Sequence, residues 1–183
     1  MLGNCVENVR NKMPLVHNIT NYVTVNDVAN VLLACGGSPI MSDEPMDVED
    51  ITSICGGLNI NIGTLNQRSI EGMFLAGRKA NELGHIVLLD PVGAGASALR
   101  TNTALKLMEE ICFDVIRGNI SEIKIGTGDI RSMRHREIVM GAIRSAAVTE
   151  SMSAAPTAVT IESKISSSRG DPFDFFSAHN AST

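Results

Sequence analysis

Short apolar runs alternate along this chain with longer stretches whose apolar residues recur every three or four positions. "PLVHNIT" (14–20) predicts a first strand. "NYVTVNDVANVLLACGG" (21–37) predicts a helix, with Val23, Val28, Val31, Leu32 and Cys35 near helical spacing. The Gly36-Gly37 pair closing it suits a left-handed C-terminal cap. "SPIM" (38–41) is a very short second strand. "DVEDITSICGG" (47–57) is a helix with Asp47 as N-cap and Asp50 in its first turn, stopped again by glycines. "LNINIG" (58–63), "HIVLLD" (85–90) and "FDVIRG" (113–118) supply strands three to five, separated by helical stretches at 66–84 and 101–111.

This β-α alternation implies an α/β fold, a mostly parallel sheet with helices on both faces, reached through right-handed crossovers. Strands four and five look apolar on both faces, as buried parallel strands do. Past residue 124 the character changes: the first 124 residues hold thirteen Leu and the last 59 none, while Ser goes from six to ten. The expected division is therefore a core over 1–124 and an atypical tail over 125–183, with the sheet truncated after its fifth strand. In that tail 133–148 suits a helix and 157–165 a strand, and the polar end is expected to fray. A sheet stopped there exposes an unpaired edge unless the tail covers it.

Composition narrows the function classes. A length of 183 residues with 44% hydrophobic and 19% charged fits one soluble domain with one core. Trp is absent, Tyr22 is the single tyrosine and the formal net charge is −5, so neither nucleic acid nor an anionic membrane is an expected partner. No apolar run reaches the ~18 residues of a membrane span, nor is there a secretory signal, which makes the cytoplasm the default. Cys5, Cys35, Cys55 and Cys112 are irregularly spaced and expected to be buried free thiols rather than zinc or redox pairs. The "RGD" at 169–171 is a chance match.

In parallel α/β sheets ligands bind beyond the carboxyl ends of the strands. Those ends carry Thr20-Asn21, Met41, Gly63-Thr64, Asp90 and Arg117-Gly118-Asn119, a mixture of amide, thioether, hydroxyl, carboxylate and guanidinium that favours a binding site. In "LLDPVGAGAS" Asp90 ends an apolar strand, and Gly93 and Gly95 free the backbone to cradle an anion. A carboxylate beside such a cradle suits magnesium and phosphate, although Asp90 equally suits a turn cap. Gly93, Gly95 and Ala98 also fit the dinucleotide pattern G-x-G-x-x-A, out of its usual place after a first strand. In "IRGNISEIK" Arg117 can pair with a phosphate through its fork of donors. Asn119 or Ser121 is a candidate N-cap, and Glu122 either holds magnesium through water or favours the helix dipole.

"PLVHNITNYVTVNDVANVLLACGGSPIM", "NINIGTLNQ", "LLDPVGAGAS" and "IRGNISEIK", in this order and spacing, resemble the hydroxyethylthiazole kinases of thiamine salvage, members of the ribokinase-like superfamily. The resemblance covers about residues 3–124. It implies transfer of the ATP γ-phosphoryl to the hydroxyl of 4-methyl-5-(2-hydroxyethyl)thiazole. It also implies that Met41 and Asn21 contact the thiazole, Arg117 contacts ATP, and Asp90 and Glu122 lie around Mg2+. A homotrimer is implied as well, with thiazole sites at subunit boundaries.

The chain departs from the family in its second half, where a nucleotide-contacting threonine and a "GTGC"-type phosphate loop are expected. "GTGD" (126–129) comes four residues after Glu122, too early, so Asp129 is a coincidental match and no catalytic base is assigned. The tail is expected to be foreign, for example a frameshifted reading of the gene. Two further classes remain: a catalytically dead thiazole-binding or oligomerisation fragment, and, on the glycine pattern, an NAD-dependent oxidoreductase.

Overall fold

The computed structural model describes residues 2–126 and 137–140. In chain order the elements are α1 (Leu2–Lys12), β1 (Leu15–Ile19), α2 (Val25–Cys35), β2 (Ser38–Met41), α3 (Val48–Ile54) and β3 (Gly57–Asn61). There follow α4 (Gln67–Leu83), β4 (Ile86–Asp90), α5 (Ala98–Glu110), β5 (Val115–Gly118), α6 (Ile120–Gly126) and β6 (Glu137–Met140). All five expected strands are present, and the sheet order is β2-β1-β3-β4-β5-β6. Every pairing is parallel.

The chain runs outward from β1 to β2, then reverses past β1 to β3. With right-handed crossovers this places α2 on one face of the sheet and α3, α4 and α5 on the other. The reversal leaves a crevice at the carboxyl ends of β1 and β3, the switch point where ligands settle in doubly wound sheets.

Alternation along the strands decides which side chains share a face. Register pairs His17 with Leu58 and Ile19 with Ile60. It pairs Leu58 with Val87 and Ile60 with Leu89. These residues turn to the side of α3 and α4, where the apolar ones join Val48, Met73, Ala76, Ala80, Leu107 and Phe113 in one buried cluster. Burying each such large side chain stabilises the fold by about 1.5–3 kcal/mol. The opposite face carries Met41, Asn18, Asn59, Asn61, Leu88 and Asp90. Arg117 follows on that face one step beyond the Leu89–Ile116 pair.

Several local expectations change. α1 was not anticipated. Gly36 does cap α2 in the left-handed region at φ 96°. Asp47, by contrast, makes no side-chain cap to α3; its Oδ2 accepts from Ser42 Oγ at 2.6 Å. α3 ends on the extended Cys55, and Gly57 already belongs to β3. Residues 137–140, expected to be helical, form β6 on the outer edge of β5, with Val115 against Glu137 and Gly118 against Met140. The edge left by a fifth-strand truncation is therefore covered by a strand from the tail. All four cysteines are free, but only Cys55 is buried; Cys5 is exposed and the other two half-buried. Burial raises the Cys55 thiol to about 11, so it stays protonated at neutral pH. Asp129, the strand expected at 157–165 and the RGD triplet lie outside the described residues.

Candidate functional site

The carboxyl edge holds a hydrogen-bonded chain running from β1 to β5. Asn21, just past β1, donates from Nδ2 to Asn61 Oδ1 at 3.3 Å. The same Oδ1 accepts the Gly63 amide at 2.9 Å. Asn61 Nδ2 in turn donates to Asp90 Oδ2 at 3.1 Å, and Arg117 Nη1 closes the chain on that oxygen at 2.9 Å. Three of the five sequence candidates, Asn21, Asp90 and Arg117, are thus joined through one buried amide, Asn61.

Asn21 Oδ1 also takes the Thr24 amide at 3.0 Å and the Thr24 hydroxyl at 3.1 Å, which fixes its ring-like turn at the start of α2. One Nδ2 proton remains for a ligand. Gly63 is required by close packing: a β-carbon there would lie 2.9 Å from Asn61 Oδ1 and 3.0 Å from Asn21 Cβ.

Met41 closes β2 on the same face, beside Asn18. Four strand spacings separate β2 from β5, roughly 19 Å, so Met41 and Arg117 bound opposite ends of an elongated cleft rather than one compact pocket. The amides of Asn21, Asn61 and Gly63 occupy its middle. Around the Met41 end, Tyr22 OH donates to Asp43 Oδ2 at 2.7 Å and Arg68 pairs with Glu44 at 3.2 Å, an exposed clasp between the loops after β1, β2 and β3.

Glu122 sits at the first turn of α6. Its Oε2 accepts the Asn119 amide at 2.9 Å while Asn119 Oδ1 accepts the Glu122 amide at 3.0 Å, a reciprocal capping arrangement. Asn119, not Ser121, is the cap. Glu122 Oε1 takes the Gly93 amide at 2.9 Å, tying α6 to the loop after β4. Glu122 faces the same rim as Asp90, close enough that its charge acts on the Asp90 carboxyl. Burial, with help from Glu122, pushes that carboxyl above its ordinary range, against the pull of Arg117 and the hydrogen bond from Asn61.

The anion cradle expected of Gly93 and Gly95 is not what the loop forms. Both glycines do adopt the left-handed region, at φ 73° and 91°. Yet the Val92, Ala94 and Ala96 amides donate to Asp90 O, Pro91 O and Gly93 O. The Gly93 amide goes to Glu122, and the Gly95 amide to Thr101 Oγ1 at 2.9 Å. Each of these donors is spent within the protein, on the loop itself or on tying it to α5 and α6.

Among the described residues no group of three or more His, Cys, Asp or Glu forms a metal cluster. Asp90 and Glu122 nevertheless suit magnesium, which takes one or two carboxylates and completes its shell with water and phosphate. No helix among the described residues is long and apolar enough to cross a membrane.

Asn61 was missed from sequence, although two polar residues at strand spacing inside "LNINIG" mark it. Arg100 was missed too. Carried on α5, it donates from Nη2 to Gly63 O at 2.8 Å and so reaches the middle of the cleft.

Comparison with known proteins bears on this geometry. The sequence matches the profile of the hydroxyethylthiazole kinase family over residues 6–162. It is 69% identical over 125 residues to a hydroxyethylthiazole kinase of Clostridium acetobutylicum, covering 68% of this chain and 46% of that one. It is 59% identical over 127 residues to the enzyme of that name from Clostridium beijerinckii, covering 69% and 46%. The fold is similar to the structure of a hydroxyethylthiazole kinase protein from Pyrococcus horikoshii OT3, with TM-score 0.65 and 42% identity, covering 67% of this chain and 48% of that one. The chain spans about half the length of these relatives.

Proposed function

This chain belongs to the hydroxyethylthiazole kinase family, and from that premise we propose that it binds hydroxyethylthiazole and ATP along the carboxyl edge and transfers the γ-phosphoryl between them. The observation that carries the reading is the linked row Asn21–Asn61–Asp90–Arg117, with Met41 on the same sheet face. The thiazole ring lies toward Met41 and Asn21, away from the Asp90–Arg117 pair. Arg117 meets the phosphates of ATP, exchanging its pairing with Asp90 for phosphate oxygens.

Asp90 and Glu122 would hold Mg2+, which when bound would offset charge on the phosphates. Transfer forms a bond from the alcohol oxygen to the γ-phosphorus and breaks the bond to the β–γ bridging oxygen. The alcohol proton is released and ADP leaves. The residues' own contribution is positioning: the amide relay fixes the distance between the two ends of the cleft before substrates arrive.

Part of the reading concerns assembly. α2 contains no buried residue although most of it is apolar, and Val31 and Leu33 are 62% and 58% exposed. Such a face fits the homotrimer that the family resemblance implies. A cytoplasmic location, the default for a chain without a visible membrane span or secretory signal, is part of the same proposal. The seam near residue 124 also belongs here, with 125–183 foreign in origin, although the family profile extends to residue 162. Sequencing the gene across codon 124 tests it, and an intact frame encoding the same tail removes it.

The chemistry is tested by mixing the purified chain with ATP, magnesium and hydroxyethylthiazole and following ADP. Thiazole-dependent ADP release supports the kinase. A second reading, a thiazole-binding module without turnover, is favoured by the spent amides of the glycine loop. It predicts that hydroxyethylthiazole raises the melting temperature while no ADP appears.

A further inference from the structure

We propose that Arg100 is a second phosphate-contacting guanidinium, placed to meet the transferring end of the nucleotide. The inference rests on the kinase reading and deepens it. The loop after β4 reaches the site with its backbone donors already committed: Gly93 to Glu122, Gly95 to Thr101, Ala94 and Ala96 within the loop. Positive character at this point of the cleft must therefore come from a side chain.

Arg100 supplies it. Its Nη2 donates to Gly63 O at 2.8 Å, anchoring the guanidinium at the end of β3. A β-carbon on Gly93 would stand 3.1 Å from both Arg100 Cδ and Nη1. The missing side chain at Gly93 thus makes room for the guanidinium as well as allowing the left-handed turn. Among the described residues Nε and Nη1 of Arg100 meet no acceptor, so two directions of its planar fork stay available.

The location decides what it would hold. Gly63 lies beside Asn21 and Asn61, between the uncharged end of the cleft and the Asp90–Arg117 end. A phosphoryl group passing from nucleotide to alcohol crosses this middle ground. Arg117, on β5, lies nearer the nucleotide end. Arg100 is suited to the terminal phosphate and Arg117 to the inner ones.

A tether of Gly63 alone would also explain the bond to its carbonyl, and the test separates the two roles. Binding of ATP, ADP, AMP and hydroxyethylthiazole, each with magnesium, is measured by calorimetry on the full chain and on Arg100→Gln, which keeps a donor for Gly63 O. Loss of a charge-assisted contact is expected to weaken ATP about tenfold or more, with AMP and hydroxyethylthiazole changed less than about twofold. Equal losses for all four ligands, or no loss for ATP, overturn the assignment and leave the kinase reading standing. Failure of the unaltered chain to bind ATP overturns both. If Arg100→Gln melts early, Arg100→Lys decides by the same comparison: a fall for ATP with AMP unchanged supports the contact, and parallel losses overturn it.

Discussion

The middle of the cleft and its Arg117 end satisfy their polar groups by different means. Over β1 and β3 the means are amides: Asn21, Asn61 and Gly63 lock one another at 2.9–3.3 Å, with no net charge. Over β4 and β5 they are charges: a largely buried carboxylate, the Arg117 guanidinium and Glu122. Amides buried with partners cost little and hold geometry. A carboxylate driven above its ordinary range is a standing cost, which a bound cation would relieve. The uncharged half thus has its polar groups paired, while the charged half keeps an unrelieved cost that the proposed ligands would offset.

The sharpest way to break this contrast is Asn61→Ala. It strands the Gly63 amide and Asn21 Nδ2 and removes one donor from Asp90. With about 1–3 kcal/mol for each buried polar group left unpaired, partly offset by water, the loss is expected to be about 2–4 kcal/mol in denaturant titration. A change under ~0.5 kcal/mol would show that the relay is not a structural unit. Gly63→Ala belongs with it, because its β-carbon falls against Asn61 and Asn21; overpacking of this kind costs about 1–3 kcal/mol.

The charged half predicts the reverse balance. Asp90→Asn removes the carboxylate charge while Arg117, half-exposed at 50%, loses only a weak ion pair. Stability at neutral pH should move by less than ~1 kcal/mol, toward the more stable side, while magnesium-dependent ATP binding is lost. A clearly destabilised Asp90→Asn would place this carboxylate with the structural amides instead. Arg117→Gln removes the charge that opposes the upward shift of Asp90, so that carboxyl should titrate higher still, as followed by carbonyl-carbon NMR.

These differences bear on what could be read from the sequence. The strands and their order of appearance were legible because buried parallel strands leave apolar runs bounded by glycine, and Gly36 and Asn119 sat where helix termini need them. Met41, Asp90 and Arg117 were legible as strand ends, since side chains there must face the rim. Asn61 was not, because its importance comes from partners 40 and 29 residues away. Arg100 was hidden by its helix: one basic residue in a first turn looks like surface until the helix is placed against β3. The glycine loop was misjudged for a related reason. Letters report that a backbone can turn, not where its amides end up. Residues 137–140 formed a strand rather than a helix because β5 offered an open edge, a tertiary demand that three apolar residues after Glu137 cannot announce.

The smallest predicted effects are those of pH, and they set the charged rim and the buried His17 on the other sheet face against each other in sign. Asp90 has a raised folded-state pKa, so between its ordinary value of 3.8 and that raised value the folded protein binds more protons than the unfolded chain. Stability therefore falls as pH rises through that interval, and Asp90→Asn should flatten the slope. His17 behaves oppositely. It is fully buried, with its ring between Thr52 Oγ1 and Ser42 O at 2.9 Å each, and burial holds its pKa below the ordinary 6.5. Below 6.5 the unfolded chain takes up the proton first, so stability is lost as pH falls from 6.5 toward the depressed value and is constant above it. A tenfold difference in proton affinity between the folded and unfolded chain is worth about 1.4 kcal/mol, which sets the scale of either slope. Urea midpoints taken between about pH 4 and 8 on the unaltered chain, Asp90→Asn and His17→Gln should show one slope vanish in each variant. If both substitutions flatten the same limb, the charged rim and the buried histidine titrate as one unit, and the two faces of the sheet are not electrostatically independent.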